Sequence, residues 1–333
     1  MMSVLTVQRF LPEVDDAPHL ESYELDLPEE ATILDGLIFI KDNVDDSLAF
    51  RRSCRAAVCG ACSMVVNGHS KLTCTHRIAV ELARGSEEIV IMPLRAMQVI
   101  KDLVVDMGPY WKHLRDVEPY LQPDSNRVPG KMAEYTVLPE QLAPSRRDLH
   151  CIQCGVCYSD CSVTEVSGTF AGPAALAKAH RFVTDPRDSR RRERLARLID
   201  LGLWECARSY ECMECPKHVE PADAIEDLRR LSIQEGLVDN RGARYTQAFR
   251  RNVGRSGRLN EGALVRESVT SDGMKGLMAV VPQGALMALK GKMPLPVFQG
   301  KVDNYGDVRR IYDALSPEPA KEAALPPGGG GEE

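Results

Sequence analysis

Eleven cysteines fall into three short groups, and this grouping constrains the fold more than any other feature of the chain. The first group has the spacing C-x4-C-x2-C-x11-C and contains Cys54, Cys59, Cys62 and Cys74. The second has the spacing C-x2-C-x2-C-x3-C and contains Cys151, Cys154, Cys157 and Cys161. The third contains Cys206, Cys212 and Cys215. A chain of 333 residues without a recognisable signal peptide is a poor candidate for a disulfide framework, so the cysteines are predicted to hold metal.

The spacings indicate which metal centres are involved. The first is the plant-type spacing for a 2Fe–2S cluster, and the second is the bacterial ferredoxin run, whose fourth cysteine ligates a neighbouring cluster. Cys151, Cys154 and Cys157 therefore need a distant ligand, and Cys215 is predicted to complete a 4Fe–4S site. Cys161 then joins Cys206 and Cys212, and three thiolates predict a 3Fe–4S cluster. Zinc is the weaker alternative, because three cysteines at this close spacing suit a zinc site poorly.

The first part of the chain has the pattern of a small mixed α/β domain. Residues 3–10 and 21–27 alternate apolar and polar side chains as strands do, and residues 31–43 change to a helical period. Asn67-Gly68 is a strong signal for a two-residue hairpin turn. Residues 1–117 are predicted to form a β-grasp domain of the plant-type 2Fe–2S ferredoxin kind, with 95–117 as a connecting helix.

The rest of the chain is predicted to be helical, so the overall fold class is α+β. Prolines concentrate in residues 118–146, which are predicted to be a linker, and 147–240 to be an all-α domain like bacterial ferredoxins. Residues 241–333 form a C-terminal extension without cysteine. Its last ~18 residues, rich in proline and glycine, are expected to be disordered.

Charge and hydropathy argue against two functions, general nucleic-acid binding and membrane spanning. A net charge of −6 argues against a general nucleic-acid surface. No run of apolar residues approaches the ~18 that a membrane span requires. The sequence favours a protein of a reducing compartment, the bacterial cytoplasm.

From about residue 3 to residue 238 the chain resembles the iron–sulfur subunits of succinate dehydrogenase and fumarate reductase. The resemblance lies in the segments SLAFRRSCRAAVCGACSMVVNG, MPLRAMQVIKDLVVDM, CIQCGVCYSDC, GPAALAKAHRFVTDPRD and ECPKHVEP. The ligand division given above is also the family's pattern.

The resemblance implies a role as an electron-transfer subunit of a succinate:quinone oxidoreductase of the respiratory chain and the tricarboxylic acid cycle. Electrons would pass between an FAD-containing flavoprotein subunit and membrane quinone, with haem a further candidate cofactor on the partner subunits. Dicarboxylate chemistry would occur at the flavin, so no catalytic residue is expected in this chain. The expected location is peripheral, on the cytoplasmic face of the bacterial cell membrane, held by a membrane-anchor subunit.

An alternative role follows from the extension, whose short GRLNE and ALKGKMPLP segments look like those of heterodisulfide-reductase-like complexes. The chain would then be the iron–sulfur subunit of another flavin-to-quinone or disulfide-reducing system.

The chain departs from the family's pattern in three places. Ser162 replaces a proline that many relatives have after the cysteine at 161. Only two residues separate Cys212 from Cys215, which leaves open how these two divide between the clusters. Glu165, Val166 and Ala207 stand where some relatives have quinone-pocket tryptophan and histidine, so no quinone-site residue is assigned.

Ser209 is predicted to mark a vacant ligand position. It stands midway between Cys206 and Cys212, where a cysteine would recreate the C-x2-C-x2-C run of a four-iron site. Serine oxygen is a poor substitute for thiolate at a site that selects soft ligands. The alternative is that Ser209 merely caps a turn.

Overall fold

The computed structural model describes residues 1–124, 134–269, 273–291 and 300–314. Within these ranges the chain groups into two compact units, Met1–Leu231 and Ser232–Glu333. The predicted domain boundaries stay predictions, and the proposed disordered tail lies outside the described residues.

A five-stranded mixed sheet forms the N-terminal part, with strand order β2-β1-β5-β3-β4. Its strands are β1 (Met2–Arg9), β2 (His19–Asp26), β3 (Ser63–Val66), β4 (His69–Leu72) and β5 (Ile89–Met92). The β1 and β5 strands pair in parallel, Leu5 opposite Ile89, and the other neighbours pair antiparallel. Because alternate side chains of a strand face opposite sides, Leu5 and Val7 of β1 are buried together with Leu25 of β2.

Helix α1 (Ile33–Asn43) contributes to the same core, and its start is defined by a capping box. The Thr32 hydroxyl accepts the Asp35 N–H at 3.1 Å, and the Asp35 carboxylate accepts the Thr32 N–H at 3.0 Å. These two bonds satisfy donors that a helix start otherwise leaves unpaired. A shorter helix, α2 (Ile78–Leu82), leads into β5.

The predicted helix over 95–117 is wrong in its first half. Residues 99–105 form a hairpin of β6 (Val99–Lys101) and β7 (Val104–Val105), and only α3 (Gly108–Asp116) is helical. Asp102, at the turn with φ +46°, accepts the backbone N–H groups of Phe10 and Ala49 at 3.0 and 2.8 Å. These contacts with distant parts of the chain hold the turn, and local periodicity carries no sign of them.

The second half of the first unit is helical, as predicted. Its helices are α4 (Pro139–Leu142), α5 (Val156–Ser159), α6 (Ser162–Val166), α7 (Pro173–Val183), α8 (Arg191–Asp200) and α9 (Pro221–Gln234). The buried Arg194 of α8 donates to the carbonyl oxygens of Glu118 and Tyr120 at 2.8 and 2.7 Å. The start of the proline-rich segment is therefore held against α8.

The second unit contains α10 (Arg241–Ser256), α11 (Glu261–Val269), α12 (Gly273–Leu289) and α13 (Tyr305–Ala314). Helix α11 packs against both α10 and α12, and α13 packs against α10. Over the described ranges of the chain, no helix is both long enough and apolar enough to cross a membrane.

Candidate metal centres

The first cysteine group lies on an exposed loop whose backbone points its N–H groups at sulfur. The Sγ atom of Cys54 accepts from the N–H groups of Ala56, Val58 and Cys59 at 3.4, 3.3 and 3.3 Å. These donors lower the pKa of the Cys54 thiol to about 6. The loop achieves this geometry with left-handed residues, among them Ala57 at φ +54° and Gly60 at φ +73°. Such a loop favours thiolates, which are the ligands of iron–sulfur clusters.

The other two cysteines of this group lie deeper, at the start of β3 and just after β4. Cys62 and Cys74 are both buried and share an apolar cluster with Leu34 and Leu72. Burial raises the pKa of the Cys62 thiol to about 11. The backbone of the neighbouring Cys74 acts against this shift, and the side chain of Cys74 adds to it. One pair of the group is therefore exposed on a loop and the other is buried against α1.

The second centre is a cavity in the helical half of the first unit. Its lining includes Cys151, Cys154 and Cys157 together with Cys215, which comes from a distant part of the sequence. Gly155, at φ +81°, turns the chain between Cys154 and α5, which carries Cys157. Burial raises the pKa of the Cys157 thiol well above its ordinary value, and the charges of the other three thiolates add to the effect.

One buried polar atom in this cavity lacks a protein partner. Tyr110 of α3 lines the cavity and is 1% exposed, and its hydroxyl has no hydrogen-bond partner among the described residues. Burial, followed by the four neighbouring cysteines, raises the pKa of this phenol far above its ordinary range. Four thiols and a protonated donor around one cavity fit a bound cluster with sulfur acceptors, because buried donors in proteins are normally satisfied.

The third centre comprises Cys161, at the start of α6, with Cys206 and Cys212. Burial raises the pKa of the Cys212 thiol to about 12, and the charges of Cys206 and Cys161 act in the same direction. Burial also raises the pKa of the Cys161 thiol, and the charge of Cys206 acts in the same direction. The three thiols are therefore electrostatic neighbours, and their assignment as the ligands of a 3Fe–4S cluster stays a prediction.

Ser209 lies on the surface beside this third group. Its hydroxyl donates to the Glu211 carboxylate at 3.0 Å, and the Ser162 N–H donates to the same oxygen at 3.3 Å. The structure thus gives Ser209 a hydrogen bond, and its prediction as a vacant ligand position stays a prediction.

Two side chains near the centres were missed by sequence reasoning. One is Tyr110. The other is Arg229 of α9, which donates to the Leu203 and Cys206 carbonyl oxygens at 3.0 and 2.9 Å and lies over the Trp204 ring. Neither residue belongs to a motif, and only the packing of α3 and α9 brings them to the cysteines.

The first two centres touch through a glycine. A Cβ atom on Gly60, in the first loop, would lie 2.8 Å from both Cα and Cβ of Cys154. Ile152 and Cys154 also pack against the apolar cluster that contains Cys62 and Cys74. The ligand loops of the two centres are therefore in van der Waals contact.

Comparison with known proteins agrees with this arrangement. Residues 4–112 match the family profile described as a 2Fe-2S iron-sulfur cluster binding domain, and 148–219 match a 4Fe-4S dicluster domain. The fumarate reductase iron-sulfur subunit of Mycobacterium tuberculosis is 39% identical over 238 residues, which cover 70% of this chain and 94% of that protein. This chain belongs to the family of fumarate reductase and succinate dehydrogenase iron–sulfur subunits.

Other members of the family give the same result. The fumarate reductase iron-sulfur subunit of Escherichia coli O157:H7 is 37% identical over 236 residues, covering 70% of this chain and 94% of its own. A chain of the Mycobacterium smegmatis Sdh1 complex in the apo form superposes with a TM-score of 0.62 at 26% identity, covering 70% of this chain and 96% of that one.

Membership of this family confirms the predicted α+β ferredoxin-type fold. It also confirms the predicted function, electron transfer as the iron–sulfur subunit of a succinate:quinone oxidoreductase. The 2Fe–2S and 4Fe–4S domains were likewise predicted correctly.

Proposed function

We propose that this chain conducts electrons between a flavoprotein subunit and a membrane quinone site through three clusters held by its eleven cysteines. The observation that carries the proposal is the cavity that brings Cys215 together with Cys151, Cys154 and Cys157. It supports the division in which the fourth ligand of the second centre comes from the third cysteine group.

The proposed ligand sets follow from this division. The 2Fe–2S centre takes Cys54, Cys59, Cys62 and Cys74. The 4Fe–4S centre takes Cys151, Cys154, Cys157 and Cys215. The 3Fe–4S centre takes Cys161, Cys206 and Cys212, with Ser209 at the position of the absent fourth ligand.

The clusters would supply one-electron redox chemistry, and the residues of this chain would set where and how well they exchange electrons. The N–H groups on Cys54 lower the charge density at its sulfur, and such hydrogen bonds are one determinant of cluster potential. Contact between Gly60 and Cys154 brings the first two ligand loops as close as backbone atoms allow. The order of transfer is proposed as 2Fe–2S, 4Fe–4S, 3Fe–4S.

The partners are proposed from the family. An FAD-containing subunit would carry the dicarboxylate chemistry, and a membrane-anchor subunit, with haem as a further candidate cofactor, would hold this chain on the cytoplasmic face of the membrane. Support comes from the relatives, which are named as subunits of fumarate reductase and, for the solved structure, as part of an Sdh complex.

Iron analysis with electron paramagnetic resonance tests the cluster composition. The complex, prepared anaerobically, is expected to contain about nine irons per copy of this chain. Its oxidised form is expected to show a three-iron signal. About ten irons without that signal would refute the three-ligand assignment of Cys161, Cys206 and Cys212.

A further inference from the structure

The buried hydroxyl of Tyr110 leads to the first inference, which rests on the proposed 4Fe–4S ligands and adds a residue that tunes this centre. Helix α3 brings Tyr110 into the cavity lined by Cys151, Cys154, Cys157 and Cys215. Its ring is held by edge contacts to Trp111 and Tyr158, at centroid distances of 5.1 and 5.5 Å. The ring is therefore fixed by packing and does not depend on its hydroxyl for its position.

The hydroxyl itself has no acceptor in the part of the chain that the structure describes. Leaving such a donor unpaired in the protein interior is unfavourable, so a buried phenol normally reaches an acceptor. The cavity that Tyr110 lines is otherwise bounded mostly by cysteines and apolar residues, and sulfur is the acceptor chemistry they would hold.

We propose that the Tyr110 hydroxyl donates a hydrogen bond to a sulfur of the 4Fe–4S centre and raises its reduction potential. A donor stabilises the reduced state more than the oxidised state, because reduction adds negative charge to the acceptor. Tyr110 acts here as a positioning and tuning residue, since it is not a ligand.

The variant Tyr110→Phe removes the hydroxyl and keeps the ring. In the intact complex we expect the reduction equilibrium of the 4Fe–4S centre to fall about tenfold, which is about 59 mV for a one-electron couple. A redox titration followed by electron paramagnetic resonance measures this value, with the 2Fe–2S signal of the same sample as the internal reference.

Tyr158→Phe is the matched control, because Tyr158 is buried against Tyr110 but does not line the cavity. We expect no change of the 4Fe–4S potential in this variant. An unchanged potential in Tyr110→Phe would overturn the inference, and so would a parallel shift of all three centres. If the wild-type complex itself shows no 4Fe–4S signal, the proposed ligand set is refuted instead.

A second inference concerns the C-terminal unit and stands on different observations. Helix α12 exposes large apolar side chains: Met278, Val281, Leu286, Met287 and Leu289 are 69%, 54%, 52%, 43% and 86% exposed. At 3.6 residues per turn, all of these positions except Met287 lie on one side of the helix. A contiguous exposed apolar face indicates a contact surface.

The charge of the surrounding sequence indicates what that contact is. Residues 241–310 contain thirteen Lys and Arg against five Asp and Glu, although the whole chain has a net charge of −6. Helix α10 exposes Arg241 and Arg255 along with the aromatic rings of Tyr245 and Phe249. Apolar faces combined with Lys, Arg and aromatic residues are the composition of helices that lie in the interface of anionic membranes.

We infer that α12 is an interfacial helix that binds an anionic lipid surface directly, in addition to the proposed attachment through an anchor subunit. The relatives cover 70% of this chain, and the matching profiles end at residue 219. The C-terminal unit lies outside the matched profiles, so a lipid-binding surface on α12 would be specific to this chain.

Vesicle sedimentation with the full-length, cluster-loaded chain tests this inference without any anchor subunit. We expect binding to vesicles that contain phosphatidylglycerol and at least tenfold weaker binding to pure phosphatidylcholine vesicles. The variant Leu289→Glu should lose the binding. Leu20→Glu, which alters another exposed leucine, in β2, should keep it.

Equal binding of wild type to both kinds of vesicle would overturn the electrostatic part of the inference, and no binding to either would overturn it entirely. If Leu289→Glu sediments with anionic vesicles as wild type does, α12 is not the lipid-binding element.

Discussion

Single residues decide the iron content proposed for the third centre. Ser209 occupies the sequence position at which a cysteine would complete a four-ligand site, and its hydroxyl is held by Glu211 at 3.0 Å. Because iron in such clusters selects soft sulfur ligands, a serine that is already engaged by a carboxylate is a poor ligand. Cluster potential depends on cluster type and net charge, so this one side chain would affect the last electron-transfer step.

We expect Ser209→Cys to convert the three-iron site to a 4Fe–4S cluster with a lower potential and slower quinone reduction. The iron content should rise by about one per chain, and the oxidised three-iron signal should disappear. Ser189→Cys, which alters another exposed serine of the same unit, is the control and should leave the signal unchanged. A three-iron signal that persists in Ser209→Cys would mean that position 209 is not the vacant corner.

A second residue-scale prediction concerns the contact between the first two centres. In Gly60→Ala the new Cβ atom would lie 2.8 Å from both Cα and Cβ of Cys154, and Gly60 has a φ of +73°. Gly68→Ala has a similar φ of +85° but meets no atom within 4 Å. Both variants incur the left-handed backbone penalty of about 1–2 kcal/mol, so the difference between them isolates the contact.

We expect Gly60→Ala to lower the melting temperature more than Gly68→Ala and to slow reduction of the 4Fe–4S centre by the 2Fe–2S centre. Thermal unfolding and rapid-freeze electron paramagnetic resonance measure the two effects. Equal behaviour of the two variants would show that the loops can separate without consequence.

At the scale of elements, a buried ion cluster joins three segments next to the second centre. His180 of α7 contacts Asp148, just before Cys151, through Nδ1 at 2.6 Å and Asp227 of α9 through Nε2 at 3.1 Å. Burial alone would lower the pKa of His180, but the hydrogen bonds to the two carboxylates raise it to about 9. Burial raises the pKa of Asp148 against the opposing charges of His180, Lys178 and Arg181.

The pH dependence of stability follows from the raised pKa of His180. The folded state holds the proton up to a pKa of about 9, whereas an unfolded histidine releases it near its ordinary value of about 6.5. The stabilisation is therefore complete below about pH 6.5 and is lost as the pH rises through about 9.

We expect the melting temperature of the complex to fall between about pH 6.5 and pH 9, and His180→Gln to flatten that slope. His19→Gln, on the exposed start of β2, serves as the control and should keep the wild-type slope. A wild-type slope in His180→Gln would contradict the assignment.

At the scale of the whole molecule, the chain combines a cluster-bearing unit with a C-terminal unit that contains no cysteine. The matched family profiles lie within the first unit. The part of the chain that the family profiles match therefore lies within Met1–Leu231, and the remainder is where this chain differs from that pattern.

Deletion of residues 317–333, which lie outside the described ranges, is expected to leave assembly intact. The sequence of this segment is rich in proline, glycine and glutamate, a composition that offers little apolar surface to offset the entropy of ordering a chain. Co-purification of the flavoprotein with the truncated chain measures the outcome. Loss of the complex from membranes would show that the tail is a docking element.

The 2Fe–2S and 4Fe–4S domains were predicted correctly from the sequence, because cluster ligation depends on thiols at short, local spacings that can be counted. The 3Fe–4S cluster stays a prediction. The sequence also predicted the sheet, α1 and the helical second half, whose periodicities are local. It failed at residues 99–105, where hydrogen bonds from Phe10 and Ala49 to Asp102 form a hairpin in place of a helix.

Tertiary packing sets how groups that are far apart in the chain come together around the second centre. The cavity joins Cys215 to the second group, Gly60 touches Cys154, and α3 brings the unpaired hydroxyl of Tyr110 to the same cavity. The cysteine pattern predicts the first of these pairings, but the contact of Gly60 with Cys154 and the placement of Tyr110 have no signature in the sequence, because both arise from packing between elements far apart in the chain. The spacing of the cysteines indicates which iron–sulfur clusters they bind. The packing of α3, α5 and α9 sets the surroundings of those clusters.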